Sequence, residues 1–214
     1  MNKMSTIPLP SLRRLPRYLN VLEKMLASGK TTVSATDIAE RLDLKPIQIR
    51  KDMAFTGIVG KPKIGYSTET LVDSIKEFLG WDHNTKAVLV GAGSLGTALT
   101  GFEGFSKRGL TIVGIFDNNE RKIGSAVYGK PIRPMEELPE IVELEEVQLG
   151  IIAVPQHNAQ EVADTMIEAG ISGIWNFSPA EIHVPDDIVV KREDLSEGLA
   201  VLFVQMQERD LSKA

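Results

Sequence analysis

The stretch from Lys86 to Asp117, KAVLVGAGSLGTALTGFEGFSKRGLTIVGIFD, constrains the fold more than any other. It opens with a short apolar run, Ala87 to Val90, set between a charge and a glycine, which suits a strand buried on both faces. Gly91, Gly93 and Gly96 follow in G-x-G-x-x-G spacing. A helix is predicted from Ser94 to about Lys107, and a second strand from Leu110 to Phe116, ending in Asp117. Each residue type has a physical task. Gly91 allows a tight turn, Gly93 lets backbone approach a pyrophosphate, and Gly96 lets helix and strand pack closely. The helix start offers free N–H groups and the positive end of its dipole to phosphates. Asp117 lies 21 residues past Gly96, where an acid that holds a ribose is expected. Strand, glycines, helix and acid together point to a dinucleotide site rather than a structural turn. An acid there accepts from a 2′-hydroxyl and repels a 2′-phosphate, so NAD(H) is expected over NADP(H). Asn118 and Asn119 follow, and the nearby cations Arg121 and Lys122 read as solvated surface.

Residues 1–80 hold 13 Lys and Arg against 8 Asp and Glu, a balance of +5, while residues 81–214 hold 11 against 21, a balance of −10. Such asymmetry suggests that the first part meets a polyanion. The local pattern agrees. Residues 1–10 read as a loose arm. From Ser11 to Ser28, Leu12, Leu15, Leu19, Leu22, Met25 and Leu26 recur every three or four positions, an amphipathic helix with Pro16 tolerated near its first turn and Gly29 closing it. Ser34 to Leu42 reads as a second helix capped by Ser34 or Thr36. A third begins at Pro46, with Ile47, Ile49 and Met53 inward and Gln48, Arg50 and Lys51 on other faces. Two short helices with a tight turn, the second bearing Arg, Lys and Gln, form a helix-turn-helix pattern. GIVGKPKIGY, Gly57 to Tyr66, reads as a basic wing. Ser67 to Gly80 is a further helix, and Trp81 to Asn84 a junction.

After Asp117, Lys130 to Pro139 contains three prolines and reads as mostly loop. Glu136 to Glu146 is acidic and helix-like. Val147 to Val154 and Ile171 to Phe177 are buried strands, with a helix from Gln156 to Ala169 between them, closed by Gly170. Strands alternating with helices give a parallel, doubly wound sheet. Ligands bind such sheets past the strand ends, here at Ala153, Val154 and Pro155 and at Asn176, Phe177, Ser178 and Pro179. A last helix, about Asp194 to Leu211, is apolar at Leu195, Leu199, Leu202, Phe203 and Met206, widened by Val201 and Val204. It must cover its own sheet or a second subunit.

There is no cysteine, hence no disulfide, thiolate metal site or cysteine nucleophile. No apolar run approaches the roughly 18 residues of a membrane span. No signal peptide is visible, and the cytoplasm is the expected compartment. His157 sits at a strand end where a dehydrogenase would want a proton donor, but no Lys, Tyr or Arg partner stands near it in sequence. No metal-ligand spacing occurs.

Several segments together resemble the Rex family of redox-sensing transcriptional repressors: RLPRYL from Arg14, QIRKD from Gln48, the wing ending at Gly65–Tyr66, GAGSLG from Gly91, FD at Phe116–Asp117, AVP from Ala153, NFSP from Asn176 and the terminal helix. The resemblance implies a winged-helix domain over residues 1–80, a Rossmann-type domain over 84–192 and a swapped dimerisation helix over 193–214. It implies a homodimer on operator DNA, released by NADH, with no catalytic residues. Expected at the cofactor are Gly91, Ala92, Gly93, Ser94, Leu95, Gly96, Asp117, Ala153, Val154, Pro155, Asn176, Phe177 and Pro179. Expected at DNA are Arg14, Arg17, Lys45, Gln48, Arg50, Lys51, Lys61 and Lys63. The family's coupling set of Arg, Tyr and Asp falls here on Asn20, Phe102 and Asp194, so only the acid is kept. Ala54, Phe55 and Thr56 stand where Ser-Tyr-Phe is usual, and Ser94 where Asn is common. Two other classes fit parts of the pattern: a small NAD-dependent oxidoreductase with an added helical domain, and a CoA-binding module.

Overall fold

The computed structural model describes residues 7–211, apart from the side chain of Leu195. The chain divides into two compact units, Met1–His83 and Asn84–Ala214.

The first unit holds α1 (Leu9–Ala27), β1 (Thr32–Val33), α2 (Ala35–Leu42), α3 (Pro46–Phe55), β2 (Tyr66–Ser67) and α4 (Thr68–Phe78). Residues 1–6 of the expected arm lie outside the described residues, and Leu9 and Pro10 already belong to α1. Because α1 starts that early, Pro16 sits inside the helix rather than in its first turn. A mid-helix proline costs about 3 kcal/mol. The helix survives because one whole side of it is buried: Leu15, Tyr18, Leu19, Leu22 and Met25 pack with Ile38 and Ala39 of α2, Ile49 and Met53 of α3, and Leu71, Val72 and Ile75 of α4. Ser34 caps α2 in a reciprocal box with Asp37, whose carboxylate also pairs with Lys30. On α3, Ile49 and Met53 point inward four residues apart, but Ile47 does not, being 55% exposed. Two residues from Ile49 is the wrong helical spacing to share its face.

β1 and β2 pair antiparallel, Thr32 with Ser67 and Val33 with Tyr66. Between α3 and β2 the chain forms a small wing, bridged from Lys61 to Gly65 with Lys63 at φ 63° near its tip. Gly65 has φ +95°, and a Cβ there would sit 2.4 Å from the Val33 carbonyl oxygen, so no other residue fits.

Asp52 of α3 is buried, and a fork of donors meets it. Arg14 Nε and Nη2 donate to its two carboxylate oxygens at 2.7 and 2.9 Å, and the Tyr18 hydroxyl donates at 2.6 Å. Burial alone would raise the carboxyl pKa, but the bonds from Arg14, Tyr18 and Ser11 outweigh it and hold the pKa below the usual value.

The second unit is a seven-stranded sheet in the order β5-β6-β4-β3-β7-β8-β9. Its strands are β3 (Thr85–Val90), β4 (Leu110–Phe116), β5 (Ala126–Val127), β6 (Lys130–Arg133), β7 (Leu149–Ile152), β8 (Gly173–Asn176) and β9 (Val189–Arg192). All neighbours are parallel except the β5–β6 hairpin. Helices α5 (Ser94–Thr100), α6 (Leu138–Leu144), α7 (Ala159–Glu168) and α8 (Leu195–Leu211) complete it. Val88 and Val90 of β3 face one core with Leu138, Val142, Val162 and Met166; Ala87 and Leu89 face another with Ile112, Ile115 and Ile151. Two expectations are corrected and one strand is added. The helix predicted to run to Lys107 ends at Thr100, capped by Gly101, and only a 3-10 turn at Ser106–Arg108 comes after it. Gly101 and Gly104 weaken helix at that point. Lys130–Arg133 is a strand, not loop; its pairing with β4 begins at Ile132, so Pro131 forfeits no bond on that side. β9, beyond β8, is a strand that the sequence pattern does not predict.

α8 does not cover its own sheet. Leu199, Val201, Leu202, Phe203, Val204 and Met206 are all between 49% and 58% exposed.

Replacing Asp52 by alanine leaves Tyr18 and Arg14 without their acceptor, and is expected to destabilise the first unit by about 2–3 kcal/mol. A depressed folded pKa means that the contribution is present above the unfolded carboxylate pKa of about 3.9 and lost as pH falls through the folded one. Denaturant titrations of parent and Asp52→Ala should therefore differ at pH 7 and converge as the pH falls below the unfolded carboxylate's range and through the depressed folded pKa.

Candidate functional site

Strand order reverses between β3 and β7, and their carboxyl ends part there. This is the switch point at which doubly wound sheets take ligands. The backbone fixes the two rims: Gly91 N–H donates to the Phe116 carbonyl at 2.8 Å, and Ala153 N–H to the Val90 carbonyl at 2.9 Å. Gly91 has φ +107°, and a Cβ would lie 2.4 Å from the Ala153 oxygen. A Cβ on Gly96 would lie 1.9 Å from the Gly91 oxygen, so α5 rests directly on the turn. Gly93, at the N-cap of α5, has the opposite property: nothing lies within 4 Å of its absent Cβ. One glycine is there for packing, the other leaves its flank open.

A cavity of about 450 Å³ opens at this point. Of the residues expected at the cofactor, Gly91, Gly93, Asp117, Ala153, Val154 and Pro155 line it, joined by Asn118, Asn119, Lys122, Met135, Glu136, Asn158, Glu161, Val162 and Thr165. Ala92, Ser94, Leu95 and Gly96 build the turn and first helical turn behind it. Asn176, Phe177 and Pro179 are not among its lining. Asn176 is buried and turned inward, donating to the Ala180 carbonyl and accepting from Ser178 N–H, which locks the NFSP turn. Phe177 packs against Trp175 with centroids 4.8 Å apart, and Pro179 is exposed.

Asp117 is 6% exposed. Its Oδ2 accepts from Ala92 N–H at 2.9 Å and Lys122 Nζ at 2.8 Å, and its Oδ1 from Asn119 N–H at 2.8 Å. Burial pushes its pKa up, yet Lys122, Asn119 and Ala92 together lower it, so the acid is ionised. Lys122 therefore belongs to the cleft wall rather than to solvated surface. The turn that brings it there is closed by Lys122 N–H on the Asn119 carbonyl at 2.8 Å, which returns position 122 to the acid.

In the first unit, α3 borders two clefts. Arg50, Lys61 and Lys63 line one, between α3 and the wing, with Ser34 and Thr36. Gln48 and Lys51 line the other, with the N-terminal part of α1. Arg17 and Lys45 are exposed and line neither. Arg14 borders the second cleft, and its Nε and Nη2 donate to Asp52, Tyr18 and Ser11, which gives it an architectural task. Of the coupling positions, Asn20 is exposed on α1 in the first unit; the other two lie in the second unit. Phe102 is 57% exposed and meets Phe105 edge-on at 4.9 Å. Asp194 caps the start of α8 through Ser196 and takes Arg192 Nη2 at 3.4 Å. His157 is exposed, in a 3-10 turn outside the cleft lining. Among the described residues no group of three His, Asp or Glu is placed to hold a metal ion, and no helix is long and apolar enough to cross a membrane.

Fold and cleft define a class: a small basic helix-turn-helix unit with a wing, carried on a doubly wound nucleotide fold. Comparison with known proteins narrows it. Residues 6–54 match a family described as a putative DNA-binding protein N-terminus, and residues 82–180 one described as a CoA binding domain. A redox-sensing transcriptional repressor Rex from Treponema denticola is 46% identical over 98% of this chain and 100% of its own. One from Caldicellulosiruptor saccharolyticus is 38% identical over 100% and 97%. Among solved structures, RSP in complex with β-NAD⁺ and operator DNA superposes with a TM-score of 0.89 at 32% identity, covering 98% of this chain and 96% of that one. RSP with β-NADH gives 0.87 at 31%, covering 98% of each. The chain belongs to the Rex family of redox-sensing transcriptional repressors.

Gly96→Ala forces a Cβ into the Gly91 carbonyl and must lift α5 off the turn. It should lower the thermal unfolding midpoint by several degrees, as about 1–3 kcal/mol of overpacking does, and distort the cleft; calorimetry reads the first effect.

Proposed function

We infer that this protein is a transcriptional repressor that binds operator DNA as a homodimer through its winged helix and is released when NADH occupies its cleft. Rex repressors are not enzymes, and this one acts by binding alone. One observation carries the reading: an ionised Asp117 at the end of β4 closes a cleft at the switch point of a chain that also presents a basic recognition helix. RSP, its structural relative, binds β-NAD⁺, β-NADH and operator DNA. As a DNA-binding regulator it works in the cytoplasm.

In this reading the pyrophosphate lies over Gly91 to Gly96, with Gly93 giving it room, and the adenosine ribose lies at Asp117. Ala153, Val154 and Pro155 line the way between the two halves of the dinucleotide, with Asn176, Phe177 and Pro179 further along the strand ends. Arg50 and Lys51 enter a groove from α3 with Gln48 beside them. Lys61 and Lys63 hold phosphates from the wing, and Arg17 and Lys45 add charge at the edges. α8 swaps onto the partner, which accounts for an apolar helix left half-exposed on its own chain. With Asn20 and Phe102 in place of a cation and a phenol, we assign the switch to closure of the two cofactor units. NADH can favour one arrangement only through contacts that differ from those of NAD⁺.

The CoA match leaves a second nucleotide to exclude. Asp117 suits a ribose diol and would repel a 3′-phosphate.

The decisive experiment is an electrophoretic shift on the DNA upstream of the chain's own gene, titrated with NADH, NAD⁺ and CoA. NADH should release the DNA and CoA should not; equal DNA affinity with NADH and NAD⁺ would rule out an NADH-released repressor. Replacing Arg50 or Lys51 by alanine should weaken binding and reduce the log–log salt slope by about one for each phosphate no longer neutralised. Truncation before Asp194 should leave monomers or aggregates by light scattering, whereas a soluble dimer would contradict the swapped helix.

A further inference from the structure

Lys122 is the one cation among the described residues that line the nucleotide cleft; the other charged groups there are Asp117, Glu136 and Glu161. It is not a passive neighbour. Its ammonium lies 2.8 Å from Oδ2 of a carboxylate that is 7% exposed, while its own side chain is 37% exposed. The carboxylate is therefore fixed and the lysine is not. Asp117 is also held by Ala92 and Asn119 N–H groups, which do not move with the side chain of Lys122. Lysine carries a point charge on a flexible stem and keeps its attraction over many orientations.

A carboxylate offers about four lone-pair positions. Three are filled here, by Ala92, Asn119 and Lys122. A ribose diol that donates twice needs one of the three vacated, and only Lys122 can swing away without unfolding the turn. Once displaced, the ammonium still belongs to a side chain that lines the same cleft as Asp117.

We propose that Lys122 is a specificity-determining residue of this cleft: it offsets the charge of Asp117 and supplies the counterion that a 2′-phosphate would recruit. Discrimination between NAD(H) and NADP(H) is then set by a pair, not by the acid alone. Asp117 repels the extra phosphate and Lys122 partly cancels that repulsion. Without Lys122, Asp117 would keep its two backbone donors, and together with Glu136 and Glu161 it would face the phosphate with no cation among the lining residues. Without the acid, the lysine would be left as an unpaired cation, favouring the phosphorylated ribose. The proposal rests on the dinucleotide reading of the cleft given above.

The test uses the full-length protein and titrates NADH and NADPH by their own fluorescence against the parent, Lys122→Met, Lys122→Gln, Lys122→Arg and Asp117→Asn. The readout is the ratio of the two dissociation constants, which a merely structural role for Lys122 would not move, since the ligands differ only at the 2′-position. Both neutral replacements should widen the preference for NADH by about tenfold, between the small effect of a screened surface pair and the large one of a buried pair. Lys122→Arg should keep the parent's ratio, and Asp117→Asn should narrow it. If NADH binds all variants and the ratio stays at the parent's value in both neutral replacements, Lys122 has no part in specificity, though the dinucleotide reading stands. If the parent binds neither dinucleotide, both readings fall together.

Discussion

Everything at the nucleotide cleft depends on backbone meeting backbone with no side chain between. The Gly91 carbonyl supports α5 at Gly96, and the Ala153 carbonyl closes on Gly91. These approaches bring the ends of β3 and β7 and the start of α5 to one point. Only there can two strand ends, a helix start and the acid at the end of β4 border the same cavity. A methyl group at either glycine would separate layers that the sheet's register otherwise locks together. Sequence, packing and ligand geometry are thus tied at two positions, and the open flank of Gly93 is the space that they create.

The two units share a device and use it differently. Each buries an aspartate and sets a cation against it. In the first, Asp52, held by Arg14 and Tyr18, clamps α3 to α1. Lys30 and Lys76 are likewise paired, with Asp37 and Glu23. The positive balance of the first 80 residues is therefore not spread evenly over the surface. Of the exposed cations, Arg50, Lys61 and Lys63 share a cleft between α3 and the wing, while Arg13, Arg17, Lys24, Arg41 and Lys45 stand on other faces. In the second unit the pair lines the cleft, with a lysine whose side chain is 37% exposed.

How much of this is legible in the sequence depends on the range of each interaction. The glycine spacing and Asp117 are readable because they answer to local backbone geometry and to the fixed length of a strand–helix–strand unit. The parallel order and the helix-turn-helix are readable from periodicity. Arg14 and Asp52 are not, because 38 positions separate them and nothing local marks the acid as buried. Pro16 and Pro131 mislead in opposite ways: a prolonged apolar side overrides the first, and the strand's one-sided pairing excuses the second. β9 is short and at the sheet's edge, with Val189 72% exposed, so it carries no pattern of burial to detect. Ile47 shows that an apolar residue on a recognition helix need not belong to a core.

The swapped arrangement proposed for α8 carries a consequence beyond the interface itself. Seventeen residues make a helix that is barely stable alone in water, and its apolar side finds no cover among the described residues of its own chain. In the proposed dimer, part of the folding free energy of each subunit is supplied by the other and obeys mass action. The repressor's fitness to hold DNA becomes a function of how many copies a cell contains. A cell that makes little of it would have chains that are not only fewer but individually less complete, so expression level and folding act on the same genes through one helix.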